Sequence, residues 1–331
     1  MTLLTEGKST VYYRARFGDT LTTSAQNFVI RDADGAIRKK FPAISARDIV
    51  VFGDATISNK VFALARKNTV PIHFISGRGR FTASVTYDYS QNVFLRHKQF
   101  AWHTDPTQRN TIAGAFVRSK ITNQNRVLKR MRIQERLTVP SGKSTENTTL
   151  ETLRGIEGAA ARQYFALWRT KTVIKNTDFT FPGRIKRPAT DPINALLSFC
   201  YTLAHAELVT QIMIVGLDPY TGFLHDQKYG HAALASDFLE IYRGPIEHFV
   251  IRSINRKEFT LQDFTEDESG IVTLSRRGFS TFFPKWSHFI RYDQFADRRT
   301  LVALMERDVR QMAQLLMGDR DTFVPFEWRR V

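Results

Sequence analysis

Asp191-Pro192-Ile193-Asn194-Ala195-Leu196-Leu197-Ser198-Phe199-Cys200-Tyr201-Thr202-Leu203-Ala204 is the stretch whose reading decides the fold class. An Asp that caps a first turn beginning with Pro is a strong helix start, because proline's missing N–H falls among the donors that have no partner there. The spacing predicts a long helix that stops at Gly216, with Leu196, Leu197, Cys200, Ala204 and Leu208 as its core stripe. Working outward, the period stays near 3.6 from about Asn92 onward, with further helices predicted over Phe94 to Trp102 and Ile112 to Leu137. Before residue 90 the pattern differs. Val11 to Arg16, Asn27 to Arg31 and Phe81 to Val85 read as strands, and Asp34-Gly35 as a hairpin turn. Ile49 to Phe52, Ser58 to Lys67 and Val70 to Ile75 make a strand, helix, strand unit. The fold class is therefore α+β: a small β-rich domain over 1–90 and a larger all-α domain over 91–331.

The charge balance narrows the partners. The 331 residues carry 48 Lys and Arg against 32 Asp and Glu, a net charge of +16. Such an excess suits a polyanion, since neutralised phosphates release condensed counterions; a merely solvated basic surface is the alternative. Much of it lies on one predicted helix, at Arg118, Lys120, Arg126, Lys129, Arg130, Arg132 and Arg136, interleaved with Asn123, Gln124 and Asn125. That face suits phosphate contact and equally suits plain solvation. The single Cys200 sits in an apolar run and reads as a core thiol in a reducing compartment. No signal-peptide pattern opens the sequence and no stretch approaches the roughly 18 uninterrupted apolar residues of a membrane span. A cytoplasmic chain with no membrane partner is expected. Thr138 to Thr149 reads as a loop, and Arg329 and Arg330 near the C-terminus as residues that lie against DNA or fray.

No Gly-rich phosphate loop, Cys-x-x-Cys pair or His-Glu-x-x-His helix is present, which removes support for nucleotide hydrolysis and zinc sites. Carboxylates and one imidazole remain. Glu157 shares a helical stripe with Leu153, Ala161, Tyr164 and Trp168, so it needs an arginine such as Arg154 or Arg162, hydrogen-bond donors or a metal. Asp237 and Glu240 stand three apart on a following helix, with Asp237 bordering the stripe Leu234, Phe238, Ile241 and Glu240 placed farther toward solvent. His225 ends the turn-rich stretch from Gly216, which contains Asp218-Pro219 and Gly222. One imidazole with two or three carboxylates is a hard donor set that suits Mg²⁺ or Mn²⁺. Solvated carboxylates and a surface histidine are the plainer reading of each residue alone.

The order of motifs adds a resemblance. Gly155-Ile156-Glu157-Gly158 followed by Ala161-Arg162-Gln163-Tyr164-Phe165, the helix from Asp191, the turn from Gly216 through Gly222-Phe223-Leu224-His225, and Ser236-Asp237-Phe238-Leu239-Glu240 together resemble the CRISPR-associated adaptation integrases, the first-numbered Cas family. Weaker similarities lie at Arg96, Gln99 and Phe100, over Lys120 to Gln124, and over Ile49 to Ile75. The resemblance implies an N-terminal domain used in dimerisation or assembly and a helical catalytic domain. It also implies a homodimer, assembly with the small second Cas adaptation protein on double-stranded DNA, and metal-dependent insertion of new spacers by 3′-hydroxyl attack on the CRISPR repeat. By matched position Glu157, His225 and Asp237 are the catalytic and metal-ligating residues; the helix spacing makes Asp237 the better inner ligand and Glu240 a supporting or second-metal ligand. Arg162, Tyr164, Asn194, Lys120, Arg126 and Arg130 are the expected DNA-binding residues. Ala232 and Ala233 stand where relatives often carry Ser, and Glu247 where Asp is common, which leaves the hydrogen bonding around the site open. A non-catalytic DNA-binding scaffold, a repair or mobile-element nuclease of the same fold, and an RNA hydrolase are the competing readings.

Overall fold

A computed structural model describes residues 8–77, 81–87, 92–140, 148–171, 173–185, 188–295 and 298–328. The chain divides into two compact units, Met1–Tyr89 and Ser90–Val331.

The first unit holds two four-stranded sheets. One has the order β1-β5-β7-β8, built from β1 (Ser9–Arg14), β5 (Ala46–Phe52), β7 (Ile72–Ile75) and β8 (Phe81–Val85). β1, β5 and β7 run parallel, and β8 closes the edge antiparallel. The other has the order β4-β3-β2-β6, from β2 (Thr20–Ser24), β3 (Asn27–Arg31), β4 (Ile37–Pro42) and β6 (Thr56–Ile57). The Asp34-Gly35 turn joins β3 to β4. Asp32 accepts from the N–H groups of Asp34 and Ala36, and Gly35 takes a φ of +80° that a side chain disfavours. The second half of β5, Ile49 to Phe52, is a continuous buried apolar run because both its faces are covered, as parallel strands require. Helix α1 (Asn59–Asn68) buries Val61, Leu64 and Ala65 against this core.

Among the described residues of the second unit the α-helices are α2 (Val93–Thr104), α3 (Pro106–Arg130), α4 (Leu150–Thr170), α5 (Pro192–Val215), α6 (Ala233–Asn255), α7 (Arg276–Arg291) and α8 (Leu301–Met317). It is not all-α: β9 (Phe264–Glu266) and β10 (Val272–Leu274) form a short antiparallel ribbon between α6 and α7. The predicted basic helix is also shifted. It begins at Pro106, where Asp105 caps the N–H groups of Thr107 and Gln108, and it ends at Arg130, because Arg132 adopts a left-handed φ of +60°. Asp105-Pro106 is the same start signal as Asp191-Pro192, so the sequence carried the true boundary. Beyond it, Arg132 and Arg136 are off the helix.

α5 is capped as expected, Asp191 accepting from the Asn194 N–H and Gly216 ending it at a φ of +102°. It is long and apolar enough to cross a membrane, but its side chains are buried on nearly every face by the surrounding protein. α6 packs on both α3 and α5. Its Gly244 lies against α3 so closely that a Cβ would stand 2.9 Å from the Asn123 carbonyl carbon. Aromatic side chains fill the remaining core, Phe249 touching Phe282, Trp286 and Phe289. The segment after α8 folds back and buries Phe323, Phe326 and Trp328. Arg329 and Arg330 lie outside the described residues, as do residues 141–147 of the expected loop.

Candidate active site

α6 follows the His225 loop after a short connection that holds the Lys228–His231 bridge, and that succession sets the site. The Asp237 carboxylate, fully buried one turn into α6, accepts three backbone N–H groups of the loop: Phe223 at 2.5 Å and Leu224 at 3.0 Å on Oδ2, and His225 at 2.9 Å on Oδ1. His225 Nδ1 lies 2.7 Å from the same Oδ1. The approach is possible because residue 222 is glycine; a Cβ there would stand 2.8 Å from Asp237 Oδ2 and from the Ala233 backbone.

The other side of the loop is fastened by side chains of α2, α3 and α4. Gln99 of α2 donates to the carbonyls of Asp218 and Thr221, each at 2.8 Å, and accepts from the Asp218 N–H. His103 meets the Gly222 carbonyl, Arg109 donates to that of Phe223, and Arg154 to that of Leu224. Arg154 also grips Asp226 with both terminal nitrogens. The His225 loop is thus held by hydrogen bonds on both faces, and its imidazole is fixed while its side chain keeps 36% of its exposure. Burial alone would disfavour the imidazolium, but the Asp237 hydrogen bond and charge, joined by Glu240, raise the His225 pKa above its ordinary value.

Glu157 of α4 and Glu240 of α6 converge on one cation, the Lys120 ammonium of α3. Lys120 is 4% exposed. Its Nζ contacts Glu157 Oε1 and lies 2.5 Å from Glu240 Oε2. Arg243, one turn along α6, approaches the same Glu240 oxygen at 2.8 Å and covers the Tyr201 ring at 4.5 Å. Burial would push the Glu240 carboxyl up, but Arg243, Lys120 and His225 outweigh it and hold the group well below the usual carboxylate range. Behind Arg243, Glu247 is fully buried and accepts from Tyr201 Oη at 2.7 Å; burial raises its pKa.

Several sequence expectations change here. Glu240 does not project to solvent; it is 3% exposed and faces Lys120 and Arg243, whereas Asp237 is occupied in aiming His225. The partner of Glu157 is Lys120, not Arg154 or Arg162. Lys120, Tyr164 and Asn194 are buried and so are not DNA-facing surface residues. Lys120 is taken up by the two carboxylates, and Tyr164 packs on Phe165 and Trp168. Asn194 ties the 183–185 segment to α5 through Gly183, Arg184 and Ile185. Arg162 and Arg126 are exposed, and Arg130 is exposed with its guanidinium 4.1 Å over the Trp328 ring. Arg126 lines a groove of about 330 Å³ with Thr122, Asn125, Lys129, Arg136 and Val139. Arg243 went unrecognised in the sequence, although its spacing of three from Glu240 was a usable signal.

Among the described residues no three His, Cys, Asp or Glu side chains converge closely enough to hold an ion by themselves. The donor chemistry nevertheless fits a hard divalent cation, because a cation already lies between the two carboxylates and an imidazole is clamped beside them.

Fold and site together define a two-unit α+β protein whose helical unit carries an acid and histidine centre and a groove lined by basic side chains. The family model for "CRISPR associated protein Cas1" matches residues 12–288. "CRISPR-associated endonuclease Cas1 3" of Thermus thermophilus is 31% identical over 324 residues, covering 96% of this chain and 95% of its own. The corresponding Chlorobaculum tepidum protein, "CRISPR-associated endonuclease Cas1 1", is 29% identical over 321 residues, 91% of this chain and 93% of its own. This chain belongs to the Cas1 family. Its fold matches that of a "Casposase bound to integration product", with a TM-score of 0.84 at 19% identity over 98% of this chain and 96% of that one. TM1797, a Cas1 protein from Thermotoga maritima, matches at 0.80 and 21% over 97% and 99%. The structure titled "Cas6-RT-Cas1--Cas2 complex" matches at 0.77 and 24%, covering 98% of this chain and 36% of that one.

Proposed function

We propose that this chain is a metal-dependent DNA endonuclease and integrase of CRISPR adaptation, which inserts new spacers by attack of a DNA 3′-hydroxyl on the repeat phosphodiester. The observation that carries the reading is the convergence of Glu157 and Glu240, from two helices, on one buried cation beside the clamped His225. In this reading Glu157, His225 and Glu240 hold Mg²⁺ or Mn²⁺. Asp237 acts through His225, fixing the ring by Nδ1 and leaving Nε2 as the nitrogen not engaged with it. When bound, the ion lowers the pKa of a hydroxyl or water and offsets charge developing on phosphate oxygens. The protein's own part is to hold the imidazole and carboxylates rigidly, through Gln99, Arg109, Arg154 and Arg243, and to bind the DNA backbone by exposed cations such as Arg126 and Arg162.

The relatives named as Cas1 endonucleases support the nuclease class. The casposase titled as bound to its integration product supports DNA strand transfer, and the Cas1–Cas2 complex supports a small second Cas protein as partner. A homodimer and a cytoplasmic location belong to the same proposal. The test is an integration assay with a branched or duplex DNA donor in Mn²⁺ or Mg²⁺. Glu157→Gln and Glu240→Gln are expected to abolish product while leaving DNA affinity intact; undiminished integration by either overturns the reading. A scaffold reading draws on one observation, that Lys120 already neutralises both carboxylates. There the same variants lose stability and there is no chemistry to lose.

A further inference from the structure

Lys120 is a buried cation that the proposed chemistry does not use. Its position is costly: an ammonium taken out of water requires close carboxylate partners, and a buried ion pair adds little net stability over an apolar pair of similar volume. The two partners it has are the two carboxylates assigned above to the metal, reached from a third helix. One turn along α3, on the same face, Gln124 is fully buried and both its amide atoms lack a hydrogen-bond partner among the described residues. A buried amide with an unused acceptor next to a buried ammonium gives that ammonium a second place to go.

We propose that Lys120 is a tethered stand-in for the divalent cation. In the metal-free protein its ammonium holds Glu157 and Glu240 together; the incoming ion displaces it, and the ammonium moves toward Gln124 Oε1. The reason is charge. Glu157 and Glu240 face Lys120 and Arg243 while Asp237 is paired with His225, so the two carboxylates are already matched by two cations, and a divalent ion and an ammonium repel each other if both remain between them. The arrangement keeps the ligands assembled before the metal arrives, and it weakens metal binding by the competition it imposes. It rests on the metal reading of Glu157 and Glu240, so the experiment tests the two separately.

Mn²⁺ binding to the full chain, followed by loss of the free-ion electron paramagnetic resonance signal, measures the competition without any turnover. Thermal melting with and without Mn²⁺ measures the assembly. Lys120→Met and Lys120→Gln are expected to bind Mn²⁺ at least tenfold more tightly than the wild type, to melt lower without metal, and to recover the difference when Mn²⁺ is added. Gln124→Leu, which removes the receiving acceptor, is expected to bind Mn²⁺ several-fold more weakly. Equal or weaker Mn²⁺ binding by both Lys120 variants overturns the proposal. If the metal-free Lys120→Met protein does not fold, Lys120→Gln and Gln124→Leu decide, since each keeps a polar or well-packed side chain. Glu157→Gln in the wild-type background reports on the underlying reading: Mn²⁺ binding that survives it sinks the metal assignment itself, whereas its loss together with unaltered binding by the Lys120 variants sinks only the competition.

Discussion

Asn123 of α3 donates its side-chain N–H to the carbonyl of Ile241 in α6 at 2.8 Å. That carbonyl is the one left without an intrahelical donor by Pro245, four residues on, which has no N–H. Asn123 also donates to the Phe326 carbonyl and accepts from the Trp328 N–H at 2.7 Å, so one buried amide joins the proline break in α6 to the C-terminal segment. Lys120 lies one turn earlier on α3 and Glu240 one residue before Ile241, so the same contact fixes the register of the two helices that form the site.

Replacing Asn123 by Ala leaves the Ile241 carbonyl and the Trp328 N–H buried and unpaired, a loss of about 2–4 kcal/mol by denaturant unfolding. In a Pro245→Ala background, where the helix regains its own donor for Ile241, the same change is expected to cost less. A double-mutant cycle showing full additivity would refute the coupling.

Gly222→Ala forces a Cβ against Asp237 Oδ2 and the Ala233 backbone, both at 2.8 Å. The cost to stability is about 1–3 kcal/mol, and the loop must move off the carboxylate that aims His225. Integration activity should therefore fall by more than the melting temperature suggests; wild-type turnover from the folded variant would show that the clamp is dispensable.

Asp237→Asn keeps the shape but presents an amide NH₂ to backbone donors and loses the charge opposite His225 Nδ1. A drop of about 10–100-fold in integration rate is expected, as for other residues that orient a metal-binding imidazole. Mn²⁺ affinity should decline less than in Glu240→Gln, and the reverse order would make Asp237 the direct ligand.

Arg126, Lys129 and Arg136 line one groove and are all exposed. Each Ala substitution is expected to weaken DNA binding and to reduce the slope of log affinity against log salt by about 0.7–0.9. Tyr164→Phe, altering a buried hydroxyl, should leave that slope unchanged.

His248 packs edge-on against Trp328, and burial, then the charges of Arg130, Arg252 and Arg256, push its pKa down to about 3 from an ordinary 6.5. A depressed value means the fold holds the neutral ring, so its contribution is full above pH 6.5 and is lost as the pH falls toward 3. The slope from this group is roughly 1.4 kcal/mol per pH unit within that window. Unfolding of His248→Gln between pH 6 and 4 should be correspondingly flatter; an unchanged slope would mean that His248 is already charged in the fold.

Much of the chain was decided locally. Asp191-Pro192 to Gly216 fixed a helix and both its ends, because capping and the glycine stop act within a few residues. Alternation and turn residues likewise placed β3, the Asp34-Gly35 turn and α1, and motif order singled out Glu157, His225, Asp237 and Glu240. What the sequence could not determine was which carboxylate does what. Asp237 and Glu240 are both acids on one helix, and their roles diverge only because the His225 loop folds onto Asp237 while α3 brings Lys120 to Glu240. The same holds for the basic helix, whose cations look alike in sequence although Lys120 is buried and Arg126 is exposed. Charge, burial and pairing across α3, α4 and α6 are properties of groups distant along the chain, so only the tertiary structure sets them.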